Sequence, residues 1–274
     1  METPNLSAAE RKIVEQARKM ADRKVARLGA LAATLTTTDR IITGRRDIAV
    51  HFRSQKPGSF VDSTISTPAY TNGKDIFLND IMIPDIRTKS GLVTTMGLNY
   101  HELAHNLFTP GKNTVLPREV QQEKMWTTFN LLEDARIESL LVAKYRSAAK
   151  FLSAPVLEFI IKNEKTWATA HLLVHGRRFL PKEVRKELRG VFQGDRKTRS
   201  ACEAVIDEYR ALDLSRYSNN HRALQLIKKL HELINNNLAS CLSEEEKSAM
   251  QEHSGCKGIG DRNGTFHNSL EQIG

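Results

Sequence analysis

The chain is poor in sulfur and has no apolar run long enough to cross a membrane. Of its 274 residues three are cysteine: Cys202, Cys241 and Cys256, odd in number, far apart and never in a CxxC pair. That excludes a disulfide frame or a cysteine zinc knuckle and points to free thiols in a reducing compartment, the cytoplasm. No stretch approaches the ~18–20 apolar residues of a spanning helix, so no membrane partner is expected. Residues 1–20, METPNLSAAERKIVEQARKM, are charged and amphipathic and lack the continuous apolar run of a secretory signal. Aromatic residues make up only 6%, but hydrophobic residues at 40% are enough for a sizeable core, and charged residues at 27% suit a soluble protein.

Acidic residues are outnumbered. Lys and Arg total 41 against 32 Asp and Glu, a net charge of +9. Such an excess invites a nucleic-acid reading. The basic residues are mixed with acids along helix-like segments, however, as in KKLHELINNN. The densest excess, RKELRGVFQGDRKTR at 185–199, reads as a solvated helix face ahead of a phosphate-binding patch. Association with nucleic acid stays an alternative.

The hydrophobic pattern is mostly helical. Residues 6–35 read as an amphipathic helix capped by Ser7 with Glu10 as its capping-box partner, and Ile13, Ala17, Met20, Val25 and Leu28 on its apolar face. The only strand signals lie in 46–83, where DIAVHF is β-branched and AYTNGKDIFLND carries Asn72-Gly73, a dipeptide of tight hairpin turns. Helices follow at 91–108, at 118–150, at 156–175 after Pro155, from Pro181, and at about 200–212 and 220–241. The expected fold is α+β, mostly helical, in one domain over 1–252. It comprises a helical segment (1–45), a core (46–185) and a helical C-terminal part (186–252). Residues 253–274, rich in Gly, Asn and Ser, read as a flexible tail or linker.

Chemistry concentrates in NYHELAHNLF, residues 99–108. On a helix, His101 and His105 fall within about 40° of each other, so both rings reach one ion, while Glu102 points to the side, where it can take a proton from water. A zinc site needs a third protein ligand, and FNLLEDARIESLL offers Glu133, Asp134 and Glu138. A wheel drawn on Phe129 sets Glu133 and Arg136 against the apolar stripe. Burying that carboxylate costs several kcal/mol unless it is paired or bound to a metal. Glu133 is therefore the favoured ligand, with Asp134 next; alternatively Glu133 and Arg136 pair with each other. Asn130 is a candidate supporting donor. Tyr100, His171, His175 and Arg136 are candidates for oxyanion stabilisation. HLLVH, His171 to His175, repeats the ligand spacing without the glutamate and reads as ordinary core or surface histidine. The strand at 75–79 is a candidate edge for holding an extended peptide, or equally a structural hairpin.

HELAH, then NLLEDARIE, preceded by AYTNGKDIFLND, resembles the zincin metallopeptidases. The closer likeness is to gluzincin-type domains found ahead of von Willebrand A modules in bacterial and phage proteins, and to the peptidase-like region of cobaltochelatase-type subunits. HGRRFLPKEVR at 175–185 fits the same impression, and the likeness spans roughly 60–185. It implies a zincin-like fold with a small sheet packed on the zinc-binding helix, Zn2+ as cofactor and a peptide or protein as substrate. It also implies His101 and His105 as ligands, Glu102 as general base, a ligand from the acidic helix, and a von Willebrand A-type or ATPase partner module. Where some zincins carry an aspartate four residues after the ligand glutamate, position 137 is Ile. The nearest string to a von Willebrand A metal motif, DSTIS at 62–66, reads as chance, so the chain is expected to be the metallopeptidase part alone. The rival to an enzyme is a zinc-stabilised scaffold or adaptor.

Overall fold

Ser7 starts the first helix as the capping box requires: its hydroxyl accepts from Glu10 N, and Glu10 Oε2 accepts from Ser7 N at 2.7 Å. The structure, a computed structural model, describes residues 7–55, 67–111, 114–162, 168–242 and 244. Helix α1 spans Ala8–Thr43 and ends at Gly44 in the left-handed region. It runs past the expected end because Leu28, Ala32, Leu35 and Asp39 are buried along its second half. The expected apolar face of the first half is instead exposed, Ile13 and Met20 at 65% each.

The sheet has three short strands, β1 (Val50–Phe52), β2 (Ala69–Thr71) and β3 (Ile76–Leu78), in the order β1-β3-β2. β2 and β3 form the antiparallel hairpin, while β1 lies parallel to β3. In the turn, Asn72 Oδ1 accepts from the backbone of Lys74 and Asp75, and Gly73 takes φ 88°, the conformation its missing Cβ permits. The strand at 75–79 is therefore not an edge. β3 is paired on both sides, and its backbone cannot take up an added strand.

Helix α2 (Lys89–Phe108) lies against the sheet, with Thr71 Oγ1 donating to Asn106 Oδ1. The single helix expected at 118–150 is three: α3 (Val115–Gln122), α4 (Trp126–Lys144) and α5 (Ala148–Pro155). Lys124 breaks the first pair by adopting φ 57°, which the sequence does not signal. Pro155 closes α5 without stopping the chain's helical course, which widens into a π-helical stretch at Val156–Ile161. Four helices follow: α6 (Ala170–His175), α7 (Lys182–Gly190), α8 (Arg196–Arg210) and α9 (Ser218–Asn237). Pro181 stands as the cap just ahead of α7, one position before the expected one.

One cluster of buried apolar residues runs from Leu28 on α1 to Leu242 beyond α9, joining sheet and helices. Two glycines permit close crossings beside the site. A Cβ on Gly97 of α2 would stand 2.2 Å from Phe151 O of α5, and one on Gly176 would stand 2.4 Å from Ala135 Cβ of α4. Among the described residues no helix is long and apolar enough to cross a membrane. Cys202 is buried and Cys241 half-buried, and both are free thiols. DSTIS, Cys256 and the tail from 253 lie outside the described residues.

Candidate metal centre

The centre forms where α2 faces α4. His101, Glu102 and His105 are all buried, and so is every residue of α4 from Thr128 to Glu138. A helix surrounded on all sides has no single apolar stripe, so the wheel ranks its carboxylates wrongly. The structure does not bring Glu133 to the histidines. Both its oxygens accept from Arg136, and Tyr209 donates to Oε2 at 3.1 Å. That is the ion pair weighed as the alternative. Arg136 also donates to Phe108 O at 2.7 Å, tying α4 to the end of α2, so it is engaged away from any oxyanion role.

Asp134 takes the place expected of Glu133. Its Oδ1 lies 3.4 Å from His105 Nε2 and 3.8 Å from His101 Nε2. Two ligands each about 2.0–2.1 Å from a tetrahedral zinc are about 3.3 Å apart, so these are spacings at which one ion fits among the three atoms. One ligand atom from each of His101, His105 and Asp134 lies within 4.8 Å of the others, and all three residues are buried. Among the described residues, His101 Nε2 is buried without a hydrogen-bond partner. A bare imidazole nitrogen in a dry site costs free energy unless something binds it. The donor set, two imidazoles and one carboxylate, is one that zinc accepts.

The partners behind the ligands are in place too. His101 Nδ1 donates to Glu138 Oε1 at 2.7 Å, and His105 Nδ1 pairs with Thr109 Oγ1 at 2.9 Å. These contacts turn each ring's Nε2 toward Asp134, the carboxylate–histidine arrangement that orients metal ligands. Arg177, fully buried, donates to Glu138 Oε2 at 2.8 Å, to Asp134 Oδ2 at 3.2 Å and to Leu173 O. It neutralises the carboxylates and leaves Asp134 Oδ1 facing the imidazoles. Arg177 reaches them because Gly176 lets the end of α6 touch α4. HGRRFL contains this arginine, but nothing in the sequence assigns it a partner.

Burial pushes the His101 pKa down, but Asp134, Glu138 and Glu102 outweigh it and raise it to about 9. Burial likewise raises Asp134, yet His101, His105 and Arg177 bring it down to about 2. Glu102 is fully buried, and its charge is among those that raise the His101 pKa. Asn130 is buried one turn before Asp134 on the same helix.

The other candidates lie elsewhere. The half-buried Tyr100 packs edge-on against Phe151, ring centroids 5.5 Å apart, and burial with the nearby Asp39 raises its pKa. His171 and His175 pair with Glu203 and Asp207 of α8. Burial pushes the His171 pKa down to about 4 and that of His175 below its ordinary value. The basic stretch 185–199 is partly tied down, Arg189 and Arg199 both facing Glu203. The chain matches no family model, no curated protein and no solved structure.

Proposed function

We infer that the protein is a zinc-dependent metallopeptidase of zincin type, with His101, His105 and Asp134 holding the ion and Glu102 acting as general base. The observation that carries this reading is the buried meeting of two imidazoles and one carboxylate beside a second carboxylate on the same helix. A bound zinc supplies Lewis acidity, polarising a carbonyl and lowering the pKa of water. The remaining work falls to the chain. Glu138 and Thr109 fix the rings, and Arg177 holds Asp134 and Glu138. Glu102 accepts the proton from the attacking water and returns it to the leaving amine. Its burial at 0% exposure removes competing solvent and strengthens that exchange.

The same burial favours a second reading, in which the centre staples α2 to α4 in a non-catalytic scaffold. Metal analysis of wild type and of His101→Ala tests the site. Digestion of a broad peptide library by wild type and Glu102→Gln separates the two readings. Cleavage lost with metal retained supports the peptidase. No cleavage by either protein, with about one zinc held by both, supports the scaffold. No zinc in wild type after refolding with metal defeats both.

A further inference from the structure

A second arrangement repeats the plan of the first. Helix α6 carries His171 and His175 four residues apart, and α8 carries Glu203 and Asp207 four residues apart. The two rings stand edge to face, centroids 5.5 Å apart at 67°, against 4.9 Å and 82° for His101 and His105. His171 Nε2 is 2.9 Å from Glu203 Oε1, and His175 Nδ1 is 4.0 Å from the same oxygen. One ligand atom from each of these three residues lies within 4.8 Å of the others. Behind them, Asp207 Oδ2 is 3.3 Å from His175 Nε2, as Glu138 stands behind His101. Each centre thus has two imidazoles, one carboxylate facing both, and another carboxylate one turn further on that grips one ring from behind.

We propose that His171, His175 and Glu203 form a second site, for a divalent transition cation such as zinc, nickel or cobalt, with Asp207 orienting His175. Two imidazoles and a carboxylate suit these borderline cations, whereas calcium and magnesium take oxygen ligands. The site is more open than the first, the side chains of His175 and Glu203 each being 12% exposed. It is also weaker, for two reasons. Arg189 already holds Glu203 through two bonds of 2.8 Å, and an incoming ion must displace it. Arg189 is half-exposed, so its guanidinium has water to swing into. In addition, His171 Nδ1 has no hydrogen-bond partner among the described residues, none that grips that ring as Glu138 grips His101. The second site therefore fills only after the first, at higher free metal.

The test is a titration of the full chain with zinc and with cobalt(II), followed by calorimetry and by the cobalt absorption bands. In a His101→Ala/His105→Ala background, one weaker equivalent should remain. His171→Ala should remove it, and Arg189→Gln should tighten it on the order of tenfold or more, since like charges a few Å apart repel strongly near a protein surface. If that background fails to fold, wild type preloaded with one equivalent is compared with His171→Gln for uptake of a second. The proposal is overturned if no second equivalent binds below millimolar metal, or if its affinity ignores both His171 and Arg189. The outcomes are separable from those of the first centre. Zinc bound only through His171 would defeat the peptidase reading and leave this site standing.

Discussion

The junction of α2 with α4 and that of α6 with α8 use the same spacings to different ends. Both set a histidine pair against a carboxylate pair. In the first, one buried arginine, Arg177, grips Asp134 Oδ2 and both oxygens of Glu138 and leaves Asp134 Oδ1 facing the rings. In the second, Arg178 and the half-exposed Arg189 take up the carboxylates themselves. The two groups thus differ in the cations around them more than in the spacing of their histidines and carboxylates. A third carboxylate completes the comparison. Asp39 of α1 is buried against α2, where among the described residues Asn99 donates to both its oxygens, and burial lifts its pKa to about 7.

The sharpest break of this comparison exchanges neighbours on α4. Asp134→Ala should abolish stoichiometric zinc binding at the first centre. Glu133→Ala should keep the metal and lower stability by about 3–5 kcal/mol, the cost of leaving Arg136 buried without its partner. Metal content and urea unfolding of the two variants check this, and loss of metal from a folded Glu133→Ala would reverse the assignment. Next in size, Glu102→Gln should retain zinc and lose about 100- to 10,000-fold in turnover on a peptide substrate. An unchanged rate would remove Glu102 from the chemistry.

Asp39 tests what a buried carboxylate does without an arginine. Its folded pKa, about 7, lies above the ordinary aspartate value of 3.8, so the proton is held more tightly in the folded state. The stability it contributes is complete below about pH 4 and is lost as pH rises through about 7, on the order of a few kcal/mol. Unfolding wild type and Asp39→Asn at pH 4.5 and pH 8 should show the wild type losing ground between the two. A constant difference would mean that Asp39 does not titrate in this range. The smallest effect is expected at Glu138. Glu138→Gln should weaken zinc at the first centre by about 10- to 100-fold, by loosening His101. Competition with a chelator measures it. If the loss matches that of Asp134→Ala, Glu138 is itself a ligand.

Some of this was legible in the residues. Ser7 with Glu10, Asn72-Gly73 and the histidine pair of HELAH each specify local geometry through neighbours in sequence, and each is found as expected. The third partner was not legible, because choosing among Glu133, Asp134 and Glu138 needs to know which side of α4 is covered, and every side is. The role of Arg177 was hidden for a related reason. It follows an apolar helix without an acid, and its partners stand 39 and 43 residues earlier. The strand order failed differently. A parallel neighbour for β3 arrives from β1, upstream of the hairpin, and a turn signal is silent about it.

The first half of α1 has a consequence for how the molecule breathes. The helix is 36 residues long, about 54 Å at 1.5 Å per residue, yet residues 8–27 are all exposed, with Lys24 reaching out to Asp80 at 2.8 Å. Most helical stability in a protein comes from a packed face, and this stretch lacks one among the described residues, so its backbone amides open turn by turn from the Ser7 end and trade protons with solvent quickly. The amides of α4 from Thr128 to Glu138, where every residue is buried, exchange only when much of the protein comes apart. A deuterium-exchange profile should therefore step sharply at Leu28, where α1 enters the core, with the boundary between the two regimes lying inside one unbroken helix.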